Sequence, residues 1–68
     1  MALFQERLRL ARKSKGITQE EAAKQLGISL RTYRRCETGE AEPGIFTVVA
    51  IANLYEVSID YLTGRVDE

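Results

Sequence analysis

The sequence predicts an all-α protein of five short helices in a single domain over residues 1–68. Three observations predict this fold class. Apolar side chains recur at the three- and four-residue spacings of helices, and glycines follow several of these segments. Hydroxyl side chains also stand where they can cap helix starts, at Thr18, Ser29 and Ser58. A chain of 68 residues suffices for one small core.

The first helix is predicted over about residues 3–14, because Phe4, Leu8 and Ala11 fall on one face and Gly16 follows its end. The second helix is predicted to begin at Thr18, since T-x-x-E is a capping-box pattern, and to end at Gly27. Its inner face is predicted to consist of Ala22, Ala23 and Leu26.

The third helix is predicted to be capped by Ser29 and ended by Gly39, with Tyr33 and Cys36 facing inward. Ile28, in the turn before this helix, is predicted to pack inward. Residues 40–44 are predicted to form a loop, and Ser58 to cap a last helix that ends near Gly64.

Residues 45–55 contain a β-branched run, but eleven residues without alternation favour a helix over a strand. The side chains assigned to the core are Ile45, Val48, Ile51, Ala52 and Tyr55. Phe46, Val49 and Ala50 fall on the opposite face, where a monomer should show polar residues. These three residues are the predicted dimer interface. The alternative is that Phe46 packs on its own chain, under the loop or on Leu62.

The composition excludes several function classes. The chain has no histidine and one cysteine, shows no pairing of a nucleophile with a base, and has no glycine-rich phosphate cradle, so we expect neither an enzyme nor a metal or cofactor site. It also lacks a long apolar run and a signal-like start, which favours a cytoplasmic protein without membrane contact.

Charge is unevenly distributed along the chain. Ten basic and ten acidic residues give a net charge of zero, but nine of the basic ones lie within residues 1–35 and seven of the acidic ones within residues 36–68. A polyanion such as a nucleic acid responds to the local charge of the protein surface that it contacts. Zero net charge therefore does not argue against nucleic-acid binding.

Several stretches occur here in an ordered set. They are KGITQEE at residues 15–21, LGIS at 26–29, ETG at 37–39 with EP at 42–43, and VSIDYLTGR at 57–65. From Arg7 to Leu62 the sequence resembles the Cro/C1-type (lambda-repressor-like, XRE) helix-turn-helix domains of phage and bacterial regulators. The resemblance implies a compact five-helix fold with its helix-turn-helix at about residues 18–37. It also implies sequence-specific binding of double-stranded DNA, and usually a homodimer on a palindromic operator.

The third helix then lies in the major groove, with Tyr33 and Cys36 facing the core and the opposite face toward DNA. The predicted base-reading residues are Leu30, Arg31, Arg34 and Arg35. The resemblance implies this role for Leu30, Arg31 and Arg35, and Arg34 lies beside them. Arginine reads guanine O6 and N7 with two hydrogen bonds, so each half-site should contain guanine. The alternative is a merely solvated basic face, and Leu30 either touches a thymine methyl or reads nothing.

Gln19 matches the phosphate-clamping glutamine of the resembling family, at a helix start where backbone N–H groups also favour anions. The further phosphate candidates are Ser29, Thr32, Thr38, Lys15 and Lys24. The resemblance also implies a structural ion pair between Arg12 and Glu37. Cys36 is expected to be a small core residue rather than a redox sensor.

Two other functions stay open. A protein-interaction module on the same fold, such as an antitoxin or an antirepressor-binding domain, would use Phe46 and Val49 to bind a different protein. The chain could also be the DNA-binding half of a longer repressor. The leading hypothesis is a prokaryotic or phage transcriptional regulator. Repression is favoured over activation, and the operator, the regulated genes and any inducer are left undefined.

Overall fold

The computed structural model describes residues 2–66, which form five helices. They are α1 (Ala2–Lys15), α2 (Gln19–Leu26), α3 (Leu30–Thr38), α4 (Ile45–Tyr55) and α5 (Ile59–Thr63). The predicted all-α class with five short helices is therefore confirmed, and each boundary lies within a residue or so of the predicted one. Residue 1 and residues 67–68 of the predicted domain lie outside the described residues.

The helix starts form as the local sequence predicts. Thr18 accepts a hydrogen bond from the backbone N–H of Glu21, and the Glu21 carboxylate accepts one from the N–H of Thr18, which completes the capping box. Ser29 and Ser58 cap α3 and α5 in the same way, through their hydroxyl oxygens.

The turn between α2 and α3 depends on Gly27. Its φ of 73° lies in the left-handed region, where a β-carbon is unfavourable, and its N–H closes the end of α2 on the carbonyls of Ala23 and Lys24. Ile28 follows and packs partly buried against the core. This turn sets the angle at which α3 leaves α2.

α1 packs against α3, α4 and α5, and α2 packs against α3 and α4. Leu8, Tyr33, Ile51 and Leu62 are fully buried at the centre, one from each helix except α2. The two buried alanines of α2, Ala22 and Ala23, let that helix approach the core closely. α3 is thus held on one side by apolar packing from the rest of the fold.

The prediction is wrong for one residue that was assigned to the core. Ile45 is 63% exposed, because it occupies the first turn of α4, whereas the core is reached only by the later turns through Ile51, Ala52 and Tyr55. Val48 is half-buried. α4 is apolar on all sides, so residue spacing alone does not reveal which face is covered.

Within residues 2–66 no helix has both the length and the apolar character that a bilayer crossing requires.

Candidate nucleic-acid interface

α3 has two chemically distinct faces. Tyr33, Cys36 and Glu37 are buried on its inner face, while Arg31, Arg34, Arg35 point outward and are exposed. Leu30, at the start of the helix, is half-buried. Because the inner face is fixed by packing, the outer face is presented on a rigid element.

The structure brings the four predicted base-reading residues together. Leu30, Arg31, Arg34 and Arg35 line one shallow depression on the outer face of α3, and Glu40 completes its rim. Glu40, which belongs to the loop after α3, is not among the site residues predicted from the sequence. Its carboxylate Oε2 lies 4.0 Å from Nε of Arg35, at ion-pair distance.

A buried ion pair joins α1 to the end of α3. Arg12 donates from Nε to Oε2 of Glu37 at 2.8 Å and from Nη2 to Oε1 at 3.4 Å. Its Nη1 also donates to the carbonyl of Ile17 at 3.1 Å, in the segment before α2. Glu37 is only 1% exposed. Such a pair is costly to break, because the remaining charge stays buried without its partner.

The environment of Glu37 keeps it ionised. Burial by itself raises the pKa of this carboxyl, but hydrogen bonds from Arg12, Tyr33 and Gln19 outweigh burial and hold the pKa below its ordinary value. Burial of the neighbouring Cys36 thiol raises its pKa, which agrees with its assignment as a core residue and disfavours a reactive thiolate.

Gln19 connects this buried pair to the outer face. Its side-chain Nε2 donates to Oε1 of Glu37 at 3.0 Å, while its Oε1 accepts from Nε of Arg34 at 3.3 Å. The predicted phosphate-binding glutamine is therefore held at the start of α2, beside one of the predicted base-reading arginines. The sequence indicates its position on the helix but not these partners.

Two further contacts fix α3 from behind. The hydroxyls of Tyr33 and Tyr55 lie 2.6 Å apart in the core and tie α3 to α4, and burial raises the pKa of both phenols. Arg9 donates from Nη1 to the backbone carbonyl of Glu37 at 2.6 Å. Arg9 is not among the residues predicted from the sequence, although it lies one helical turn before Arg12 and so on the same side of α1.

A family model also matches this part of the chain, which contains the capped α2, the glycine turn and the exposed basic face of α3. The model described as "Helix-turn-helix" matches residues 8–62, which is most of the chain. The chain belongs to the helix-turn-helix family, of the Cro/C1 type.

Three relatives carry similar domains. The uncharacterized HTH-type transcriptional regulator YqaE of Bacillus subtilis is 42% identical over 60 residues, covering 88% of this chain and 52% of its own length. The cryptic phage CTXphi transcriptional repressor RstR of Vibrio cholerae is 44% identical over 62 residues, covering 91% and 55%. The SPbeta prophage-derived uncharacterized HTH-type transcriptional regulator YonR of Bacillus subtilis is 42% identical over 60 residues, covering 88% and 56%.

This helix-turn-helix chain thus spans about half the length of the curated relatives it matches. No solved structure matches it.

The hydroxyl side chains predicted to contact phosphate are engaged within the helix-turn-helix unit. The hydroxyl oxygen of Ser29 accepts a hydrogen bond from the backbone N–H of Thr32 at 3.0 Å. The same hydroxyl donates to the side-chain hydroxyl of Thr32 at 2.8 Å. The single hydroxyl proton of Thr38 is shared between the carbonyl oxygen of Arg35 and Oε1 of Glu40, each 3.2 Å from Oγ1. Each of these residues lies at an end or on the outer side of α3.

The two lysines predicted as phosphate candidates are exposed but differ in place. Lys24 lies in the last turn of α2, close to the glycine turn. Lys15, at the end of α1, lines a groove with Leu10, Tyr55 and Tyr61, away from the depression on α3. The structure therefore does not bring Lys15 to the arginines.

The predicted dimer residues form an uneven apolar patch at the start of α4. Phe46 is 87% exposed and Val49 is 39% exposed, so Phe46 does not pack on its own chain as the alternative required. Ala50 is half-buried and contributes less than predicted. Ile45, which had been assigned to the core, is exposed beside them and enlarges this patch.

Proposed function

We propose that the chain is the DNA-binding domain of a transcriptional regulator and inserts α3 into the major groove. The observation that carries the proposal is the exposed face of α3, on which Arg31, Arg34 and Arg35 stand together while the opposite face is locked into the core. Arginine on such a helix can make paired hydrogen bonds to guanine. The relatives named as transcriptional regulators support the same function.

The contacts divide into two groups under this proposal. Arg31 and Arg35 read base edges, with Leu30 and Arg34 beside them. Phosphate contacts come from the start of α2 and the edges of α3, and the residues proposed for them are Gln19, Ser29, Thr32, Thr38 and Lys24, with Lys15 a weaker candidate. Base contacts carry the sequence preference, whereas phosphate contacts fix the register of the domain on the duplex.

We propose further that the regulator binds a palindromic operator as a homodimer. The support is the apolar patch of Ile45, Phe46 and Val49, whose largest member is almost fully exposed. Two domains joined in this way place two α3 helices in successive major grooves, about 34 Å apart. Repression by occupation of a promoter is the proposed outcome, and the relative named as a repressor supports it.

The second candidate function is binding of a different protein at that apolar patch. The same exposed Phe46 supports an antitoxin-like or antirepressor-binding module. In that case the arginines of α3 have no sequence-specific role. The two candidates therefore differ in what the arginines do.

In vitro selection of duplexes from a random pool at about 0.15 M salt tests the proposal, because non-specific phosphate attraction is weakened there. We expect a palindrome with guanine in each half-site, and loss of the guanine preference in Arg35→Ala. Arg65→Ala is the matched control, since it removes the same charge from an exposed side chain just beyond the end of α5. Folded wild-type protein that enriches no motif contradicts the proposal, and a single half-site contradicts the dimer.

A further inference from the structure

An acidic side chain stands on the otherwise basic face of α3. Among the described residues that line the depression there, Glu40 carries the one negative charge. Its Oε2 lies 4.0 Å from Nε of Arg35, and both side chains are substantially exposed, at 67% and 46%. A carboxylate beside DNA repels phosphates, so its presence at this place calls for a physical reason.

The fold holds Glu40 in this position through the loop after α3. Gly39 takes a φ of 87°, and a β-carbon there would collide with the side-chain amide of Gln5 on α1. The chain thereby turns back, and the N–H of Ala41 donates to the carbonyl of Arg35 at 3.2 Å.

The Thr38 hydroxyl adds a direct restraint on the acid. Its proton, which is shared with the carbonyl of Arg35, contacts Oε1 of Glu40 with Oγ1 at 3.2 Å, and Oε2 lies on the side of Arg35. Backbone and side-chain contacts therefore place this carboxylate against one chosen arginine. Arg31 and Arg34 share the depression, but the ion pair is made with Arg35.

The geometry at Arg35 suits guanine recognition. A guanidinium has five N–H donors in a planar fork, and an acid on the Nε side leaves the outer edge, with Nη1 and Nη2, for guanine O6 and N7. The pair is weak while it is exposed to water. Exclusion of water in a DNA interface lowers the effective dielectric constant and strengthens it.

We propose that Glu40 is a specificity-determining residue, which positions Arg35 for guanine and disfavours binding of that arginine to phosphate. This inference rests on the proposed function of α3. It makes Glu40 a residue that acts through Arg35, without a base contact of its own. Thr38 then supports Glu40 rather than serving only as a phosphate contact.

The test compares Glu40→Gln with Glu42→Gln in the 68-residue chain. Both variants remove one negative charge from the same loop, but Glu42 faces a groove with Phe4, Pro43 and Val48, away from the depression. The base pair that depends on Arg35 is identified first, as the position where Arg35→Ala loses its preference in selection. Binding to the selected duplex, to duplexes changed at that base pair and to a shuffled duplex is then measured by fluorescence anisotropy.

We expect Glu40→Gln to reduce about fivefold the preference for guanine over other bases at the Arg35-dependent position. This is only part of the discrimination that a paired arginine–guanine contact provides. Binding to shuffled DNA should rise in both variants, and discrimination should be unchanged in Glu42→Gln. Melting temperatures should match wild type, since both acids are exposed.

The inference is overturned if Glu40→Gln keeps full discrimination while wild type has a motif. It is also overturned if the variant changes preference at a different base pair, since Glu40 would then be a direct reader, for example of a cytosine amino group. Absence of any motif for folded wild type overturns both this inference and the proposed function. A motif in which Arg35→Ala changes no position overturns this inference and the base-reading role of Arg35, but leaves sequence-specific binding by the other residues of α3 intact.

Discussion

Replacing Arg12 by methionine should destabilise the domain severely, because it leaves the Glu37 carboxylate buried without its guanidinium. Glu37 is 1% exposed and would lose two hydrogen bonds, at 2.8 and 3.4 Å. Breaking a buried pair from one side costs about 3–5 kcal/mol. A domain of this size has a total stability of about 3–10 kcal/mol, so the loss is a large share of it.

The assay is urea unfolding at pH 7, followed by circular dichroism, with thermal melts as a second measure. At about 4–8 °C for each kcal/mol, the melting temperature should fall by about 12–40 °C. Arg65→Met is the matched control, because that arginine is 79% exposed and lies 3.8 Å from Asp60. An exposed pair contributes about 1 kcal/mol or less, so this control should stay near wild type.

The double variant Arg12→Met/Glu37→Met should be more stable than Arg12→Met alone, since it removes the unpaired charge together with its partner. The reasoning is refuted if Arg12→Met costs no more than Arg65→Met. It is also refuted if the double variant is less stable than the single one, because the penalty then does not come from an isolated buried carboxylate.

Three further predictions follow from the same geometry. Because the pKa of Glu37 is lower in the folded chain than its ordinary 4.5, its contribution is complete above that pH and is lost as pH falls through the folded value. Glu37→Gln should therefore lower stability at pH 7 but flatten the pH dependence of unfolding below about pH 5, and an unchanged slope would contradict this. Gly39→Ala and Gly27→Ala should each cost about 1–2 kcal/mol for the left-handed backbone, because a β-carbon at Gly27 meets open space and one at Gly39 displaces only the flexible end of the Gln5 side chain; an unchanged melting temperature in either variant would contradict this. Phe46→Glu should convert a dimer to a monomer in sedimentation velocity without lowering the melting temperature at fixed low concentration, since Phe46 is 87% exposed, and an unchanged sedimentation coefficient would place the interface elsewhere.

The helices were predictable because their signals are local. Thr18 and Glu21 cap each other across a single turn, and Gly27 supplies a backbone conformation that few other residues adopt. The inner face of α3 was equally predictable, because Tyr33 and Cys36 lie at helical spacing in an otherwise polar segment. Interactions within one or two turns leave a pattern in the sequence.

The features that the sequence did not predict depend on contacts between distant segments. Ile45 was misplaced because α4 is apolar on every side, and only packing decides which face is covered. Glu40 was missed because its approach to Arg35 requires the loop to fold back over the end of α3. The partners of Gln19 come from two turns of α3, and no residue spacing within α2 reveals them.

The central claim is that the outer face of α3 reads base edges, and side-chain NMR of the arginines tests it most directly. The Nε–H signals of Arg31 and Arg35 should shift, and exchange more slowly with water, when the chain is titrated with its selected duplex. A shuffled duplex at the same salt concentration should produce neither change, because it lacks the specific base contacts. Phosphate contacts alone would affect the arginines equally with both DNAs. If the selected duplex instead perturbs Phe46 and its neighbours on α4 and leaves these two arginines unchanged, α3 is not the reading helix.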